Sequence, residues 1–512
     1  MSFLSILFPH TQELYDESQS GTLPFMADLN LDSVIDEIIL GREEYNLRPI
    51  FNRWPLEKEV ILYRQQIMSE IENETINTGL LGFSNEMKAM RTMLKNAVTC
   101  RYEYHRERLF LDSVYAYCQA VLNLEEKLSS IQLSSDGLKN FSSFISAYVS
   151  SEPFQSQLRV AEELIQEMGK VRYDLEIDGL LVKVLPYRPQ TDYDTEIRSF
   201  YSKFIEGQNK DYRESFPVSM QMNDVEALIL KGIATLYPEL FNRLSVFYQQ
   251  YQNFRDDRIS GFDREIQFYL AYGDYCRKIS NCGSPFCIPE IVNGQEDISV
   301  SETFDIALAA QLAKEDKKPV LNDLTFSGNE RIIIVSGPNQ GGKTTFARSF
   351  GQLHYLAALG VAVPGSSACL LLCDMVYTHF EKAEDIQLQQ SKLESDLNRM
   401  HTIITNATQK SVVILNEIFS STTLLDSKFL SEKLIEHLQN IGSYCIWVTF
   451  IDELSALSCS AFNMSAGIDS EDSGAKRTYK ITRQCPDGKA YALSLAEKYQ
   501  LTFNQLINRI AP

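Results

Sequence analysis

The sequence holds no apolar run long enough to cross a bilayer. Its most apolar later stretch, 360–373, is interrupted by Pro364, Gly365 and two serines, and falls short of the ~20 residues that a spanning helix needs. The short apolar stretch within 1–15 has neither a basic leader nor a small-residue cleavage site, which argues against a secretory signal. The expected setting is therefore cytoplasmic, with no membrane partner. Histidine is scarce, six in 512 residues. The chain has ten cysteines, but the near pairs Cys282/Cys287 and Cys369/Cys373 lack the histidine partners and paired short spacings of a metal site. Reduced, packed thiols are the better reading. No internal repeat or low-complexity tract is present. Basic residues are outnumbered, 48 Lys and Arg against 68 Asp and Glu, for a net charge of −20. That excludes indiscriminate binding to nucleic acid while leaving room for a local basic surface. Lys88, Arg91 and Lys95 lie at helical spacing and read as a solvated helix face.

What is there points to several domains. A chain of 512 residues is too long for one ordinary core and should form roughly two to four. Helical periodicity dominates up to about residue 165, including one long helix from about Asn85 into the 120s. The period then changes. The run VRYDLEIDGLLVKVL at 171–185 alternates and predicts a β-hairpin, its strands joined by Asp178-Gly179 in a tight type I′ turn. Helix returns over 225–277, where Leu240, Leu244, Phe247, Tyr251 and Phe254 form a seam at alternating spacings of four and three. From about Pro285, short β-branched runs alternate with helices. The runs 331–335, 411–415 and 444–449 are buried strands, so the fold class here is α/β with a mainly parallel sheet.

The strand 331–335 leads into Gly337, Pro338, Asn339, Gln340, Gly341, Gly342, Lys343, Thr344 and Thr345. Glycines at these spacings let backbone N–H groups curl around a phosphate, and the helix that follows offers its positive end. Lys343 would reach the β- and γ-phosphates, and the Thr344 hydroxyl would ligate Mg²⁺. This is the pattern of a phosphate-binding P-loop, and ATP with Mg²⁺ is the expected ligand pair. The strand 412–415 ends in Asn416-Glu417. Glu417 is placed to orient and deprotonate an attacking water, while Asn416 takes the position at which an aspartate would hold the Mg²⁺ shell.

These residues resemble the MutS family of DNA mismatch-repair ATPases. The likeness covers roughly 300–512. It is carried by GPNQGGKTT, by Asn322-Asp323 before it and Val363-Pro364 after it, and by ATQKSVVILNEIFSSTT, VTFIDEL and the closing GKAYALSLAEKYQLTFNQLINRI. Upstream, the helices, the inserted hairpin and FDREIQF at 262–268 look like the family's core, lever and clamp. The resemblance implies an ABC-type P-loop ATPase head preceded by a mostly α-helical core and lever with a small β-hairpin clamp. The boundaries follow: helical core and lever over 1–165, a clamp-like insertion over 166–222, returning lever helices over 223–285, and the ATPase domain with a C-terminal dimerisation segment over 286–512. It also implies a homodimer through the heads, with Asn322 near the nucleotide, and Ser391 reaching the nucleotide of the other head.

Three departures matter. The family's N-terminal mismatch-reading domain has no counterpart here, Asn416 replaces an aspartate, and Phe450 stands where a histidine is usual near the γ-phosphate. The expectation is a dimeric ATPase that hydrolyses ATP slowly and couples its nucleotide state to DNA clamping, in mismatch repair or a related repair or recombination process. The alternative is an ATP-gated dimeric scaffold with little or no hydrolysis and no mismatch recognition of its own. A second alternative acts on branched or recombining DNA; no metal-binding cluster suggests a nuclease.

Overall fold

The computed structural model describes residues 5–10, 23–54, 56–179, 181–188, 200, 222–293, 297–380, 392–468, 477–484 and 507. The chain divides into two compact units, one made of residues 1–77, 133–139 and 264–512, the other of 78–132 and 140–263. No described helix is long and apolar enough to cross a membrane.

The first unit is organised on a six-stranded sheet. In spatial order its strands are Val376–His379, Val412–Asn416, Tyr444–Val448, Ile332–Ser336, Ala461–Ile468 and Arg477–Arg483. The first five run parallel and the last antiparallel. The inner strands read as unbroken apolar runs because both faces are covered, so neither parity of residue meets water. On one face Ile332, Ile334, Val413, Leu415, Cys445 and Trp447 pack with Met400, Ile403, Leu434, Ile435 and Leu438. Those partners come from the helices Lys392–Asn406 and Leu424–Ile441. The other face meets the helix Lys343–Leu359, which approaches so closely at Gly351 that a Cβ there would lie 2.5 Å from Cδ1 of Ile414. All three strands expected from the sequence are present.

A second sheet orders Glu290–Val292, Ser367–Leu371, Ile298–Thr303 and Asn322–Phe326, mostly antiparallel. Between its strands lies the short helix Ile306–Ala313, capped by Asp305, whose carboxylate accepts from the N–H groups of Ala307 and Leu308. Residues 5–8 are buried in this first unit. Both oxygens of Glu265 accept from Ser5 Oγ at 2.9 Å, and one also accepts from the Ile6 N–H at 2.8 Å. Arg64, fully buried, donates to the carbonyls of Leu7 and Leu359. The second of these closes the C-terminal end of the helix Lys343–Leu359, where a cation is favoured.

The second unit is mostly helical and differs from the sequence expectation in three ways. The long helix expected from Asn85 is two, Glu74–Thr99 and Glu103–Ser129, parted at 100–102. The helix expected over 225–277 is three: Asp224–Leu236, Pro238–Gln250 and Asp257–Ser280. Pro238 lacks an N–H and starts a helix readily but cannot continue one. Asn223 and Glu226 close the first of the three with reciprocal bonds. Leu240, Leu244 and Phe247 of the expected seam are buried, whereas Phe254 reaches the same core from the connection after the second helix, its ring 5.6 Å from that of Phe110. The hairpin forms from Tyr173–Asp178 and Leu181–Pro186, but Asp178 pairs with Leu181. The turn thus sits one residue beyond the expected Asp178-Gly179, with Gly179 at φ 59° as its first member. Arg91 is not a solvated basic residue; its guanidinium pairs with buried Asp263.

Candidate functional site

The strand Ile332–Ser336 is buried along its whole length and delivers the chain to the glycine loop, from which the helix Lys343–Leu359 starts immediately. Two glycines are required by backbone geometry. Gly337 has φ 113° and Gly342 φ 91°, values open to residues without a Cβ. Gly341 is required by space, because a Cβ there would come within 2.8 Å of the Ala466 Cβ and 3.0 Å of the Pro338 carbonyl. Inside this curl Lys343 is buried, its Nζ donating to the carbonyls of Gly337 at 2.8 Å and Pro338 at 3.0 Å. Burial lowers its pKa from the usual lysine value, Glu417 opposes that, and Arg477 adds to it. An ammonium held this way is under-compensated and suited to receive an anion. Above it lies the ring of Phe450, 57% exposed, with its centroid 5.0 Å from Nζ.

Beside the loop, Thr344 Oγ1 donates to Asn416 Oδ1 at 3.0 Å. The strand Val412–Asn416 and the loop's helix therefore bring two neutral oxygens side by side. Oxygen donors suit Mg²⁺, which keeps several waters and asks few ligands of the protein. The pair fits that ion, though without the charge an aspartate would add.

Immediately after Asn416 the chain turns sharply. Glu417 has φ 52° and Phe419 φ 59°, each a left-handed conformation costing a non-glycine residue about 1–3 kcal/mol. The Glu417 N–H continues the ladder to the Val448 carbonyl at 2.9 Å. The Phe419 N–H donates to Asp396 Oδ2 at 3.3 Å, and the other oxygen of Asp396 lies 2.9 Å from His379 Nε2.

A cavity of about 600 Å³ opens over the loop, within the size range of small-ligand sites. Asn322, Asn339, Gln340, Gly341, Gly342, Lys343, Thr344, Thr345 and Glu417 line it. Gly337 and Pro338 contribute through the carbonyls that hold Lys343, and Asn416 through Thr344. The side-chain amide of Asn322 also accepts from the Ile481 N–H and donates to the Tyr479 carbonyl, which holds Tyr479 against the loop. Ser391 lies outside the described residues, as does most of the closing segment 488–510.

The rest of the wall was not legible in the sequence. Phe304, Leu308, Leu312, Pro319, Val320 and Tyr479 make an apolar side to the cavity. They come from the helix Ile306–Ala313 and the residue before its cap, the approach to Asn322–Phe326 and the antiparallel edge strand. Their only sequence signal is ordinary apolarity. Among the described residues no group of His, Cys, Asp and Glu could hold a metal by itself, and the described cysteines are free, Cys459 being exposed.

Comparison with known proteins gives the same region a family. Residues 333–509 match the model described as MutS domain V. The DNA mismatch repair protein MutS of Prochlorococcus marinus (strain MIT 9301) is 33% identical over 150 residues, 29% of this chain and 16% of that protein. MutS of Prochlorococcus marinus (strain AS9601) is 28% identical over 183 residues, 35% of this chain and 20% of its own length. MutS of Exiguobacterium sp. (strain ATCC BAA-1283 / AT1b) is 31% identical over 139 residues, 27% of this chain and 16% of that protein. The chain spans no more than about a fifth of these relatives' lengths.

Proposed function

We propose that this chain is, through its C-terminal part, a member of the MutS family that binds ATP with Mg²⁺ in the cavity over 337–345 and hydrolyses it slowly. The observation that carries this reading is that Lys343, Thr344 and Glu417 line one cavity, with Asn416 hydrogen-bonded to Thr344 beside them. Phosphate would displace the carbonyls from Lys343 and lie against the N-terminal end of the helix Lys343–Leu359. The apolar wall would take the base. Mg²⁺, when bound, supplies charge neutralisation on the β- and γ-phosphates, with Thr344 and Asn416 as its protein ligands. Glu417 accepts the proton of the attacking water, oriented by the turn that follows its strand.

The wider function follows the relatives, whose names state DNA mismatch repair. Two heads would pair, with Ser391 of each reaching the other's nucleotide. The helical lever (1–165 and 223–285) and the clamp (166–222) would close around DNA in one nucleotide state and open in another, in the cytoplasm. A second reading, the ATP-gated scaffold with little turnover, is favoured by two observations: Asn416 brings no charge to the metal, and Phe450 puts a ring incapable of proton transfer over Lys343.

The Asn416→Asp variant tests the central reading. It should bind Mg²⁺·ATP more tightly and turn it over about tenfold faster, a gain of one carboxylate ligand at a hard cation. A titration of Mg²⁺ against turnover that does not move on this substitution would separate Asn416 from the metal and refute the assignment.

A further inference from the structure

The strained turn carrying Glu417 is braced by a buried pair that the proposed chemistry does not itself use. Asp396 and His379 are both at least nine-tenths buried. Asp396 stands on the helix Lys392–Asn406 and His379 closes the edge strand Val376–His379. One carboxylate oxygen of Asp396 meets His379 Nε2 at 2.9 Å, and the other accepts the Phe419 N–H at 3.3 Å, two residues beyond Glu417. The same helix reaches the turn again where Lys392 Nζ lies 3.3 Å from Ser420 Oγ. Between the two left-handed residues, Ile418 is anchored in the apolar cluster shared with that helix.

A turn with two left-handed non-glycine residues persists only where its surroundings over-determine it. Here the surroundings include an apolar anchor, the ladder bond of the Glu417 N–H to Val448 and the hydrogen bond of the Phe419 N–H to the Asp396 carboxylate, whose other oxygen meets a buried imidazole. We propose that Asp396, oriented by His379, is a positioning residue for Glu417. It touches no reacting atom; by holding the Phe419 amide it fixes the direction in which the Glu417 carboxylate leaves the strand end. The inference rests on the reading of Glu417 as general base.

Four variants of the full chain test it: Asp396→Ala, Asp396→Asn, Glu417→Gln and the double variant Asp396→Ala with Glu417→Gln. The readouts are ATP turnover with its kcat and KM, nucleotide affinity, melting temperature, and hydrogen exchange of the Phe419 amide. Asp396→Ala should lower kcat about tenfold, with KM within about twofold, because a misplaced base affects the transition state and not nucleotide binding. Its Phe419 amide should exchange at least about tenfold faster. Asp396→Asn keeps a carbonyl for the Phe419 N–H and an amide for the other tautomer of His379, so most of the kcat should return. In the Glu417→Gln background, Asp396→Ala should cost little further, as expected of residues acting as a unit. An Asp396→Ala variant with native kcat and native Phe419 exchange would overturn the brace. So would one that loses nucleotide affinity and melting temperature together with kcat, or one whose loss is undiminished in the Glu417→Gln background. If Glu417→Gln hydrolyses ATP at the native rate, the general-base reading fails instead. If the native chain shows no turnover, Phe419 exchange alone decides the brace.

Discussion

At the scale of single residues, two buried ionisable groups behave in opposite ways. Lys343 is held by carbonyls and a ring, with its pKa lowered mainly by burial, so its favourable partner is the phosphate that the cavity would supply. Lys343→Ala should weaken binding of a fluorescent ATP analogue by at least about 100-fold, the scale of losing a buried charge-assisted contact, while the melting temperature without nucleotide changes little. Glu265 carries the complementary lesson. Burial pushes its carboxyl up to about 7 despite bonds from Ile6 and Ser5. The folded protein therefore keeps a proton that the unfolded chain releases near its ordinary value of 4.5. Stability from this group is fully present below that pH, declines as pH rises to about 7, and is level above, a loss of about 3 kcal/mol at most. Glu265→Gln, whose amide can still accept from Ile6 and donate to Ser5, should flatten that slope. Melting curves of both proteins from pH 4 to 8 check it, and parallel pH profiles would count against the assignment.

At the scale of elements, the sequence was informative wherever the signal was local. The three strands of the parallel sheet appear where their β-branched runs lie, and the strand, glycine loop and helix follow one another as the spacing implies. Local signals misled where a breaker and a period competed. The seam through Leu240 to Phe254 kept its apolar character across Pro238 and the 251–256 connection, so periodicity alone joined what backbone chemistry separates. The hairpin turn was misplaced by one residue because Asp178 is as acceptable at a strand end as in a turn. Distant pairings were illegible. Arg91 meets Asp263, Asp396 meets His379 and Phe419, and the apolar wall gathers from three separate stretches; nothing in a single sequence links such positions. Close packing of elements yields its own expectation. Gly351→Ala would drive a methyl against Ile414 and Leu29, 2.5 and 2.7 Å away, and should destabilise the protein by about 1–3 kcal/mol. A denaturant midpoint unchanged by this substitution would mean that the helix and sheet have room to separate.

At the scale of the whole molecule, the likeness to MutS domain V lies in the C-terminal part, residues 333–509, and the reach of the chain towards DNA is a proposal. With a net charge of −20, DNA contact would have to be local and strongly salt-dependent. A binding panel of homoduplex, mismatched, branched and single-stranded DNA, with ATP, ADP or no nucleotide at two salt concentrations, should show binding that depends on the nucleotide. No binding to any form would favour the scaffold. The strand, glycine loop and helix were legible in sequence, and the structure adds two neutral oxygens where the metal is proposed, a phenyl ring over the lysine, and a strained turn behind the proposed base. All three bear on turnover more than on binding. The most direct measurement is therefore phosphate release by the native chain and by Glu417→Gln, with and without duplex DNA. The account predicts slow release by the native protein, faster with DNA, and a loss of at least about 100-fold in Glu417→Gln with ATP affinity retained. Equal release by the two proteins, or none by the native chain under any condition, would contradict it.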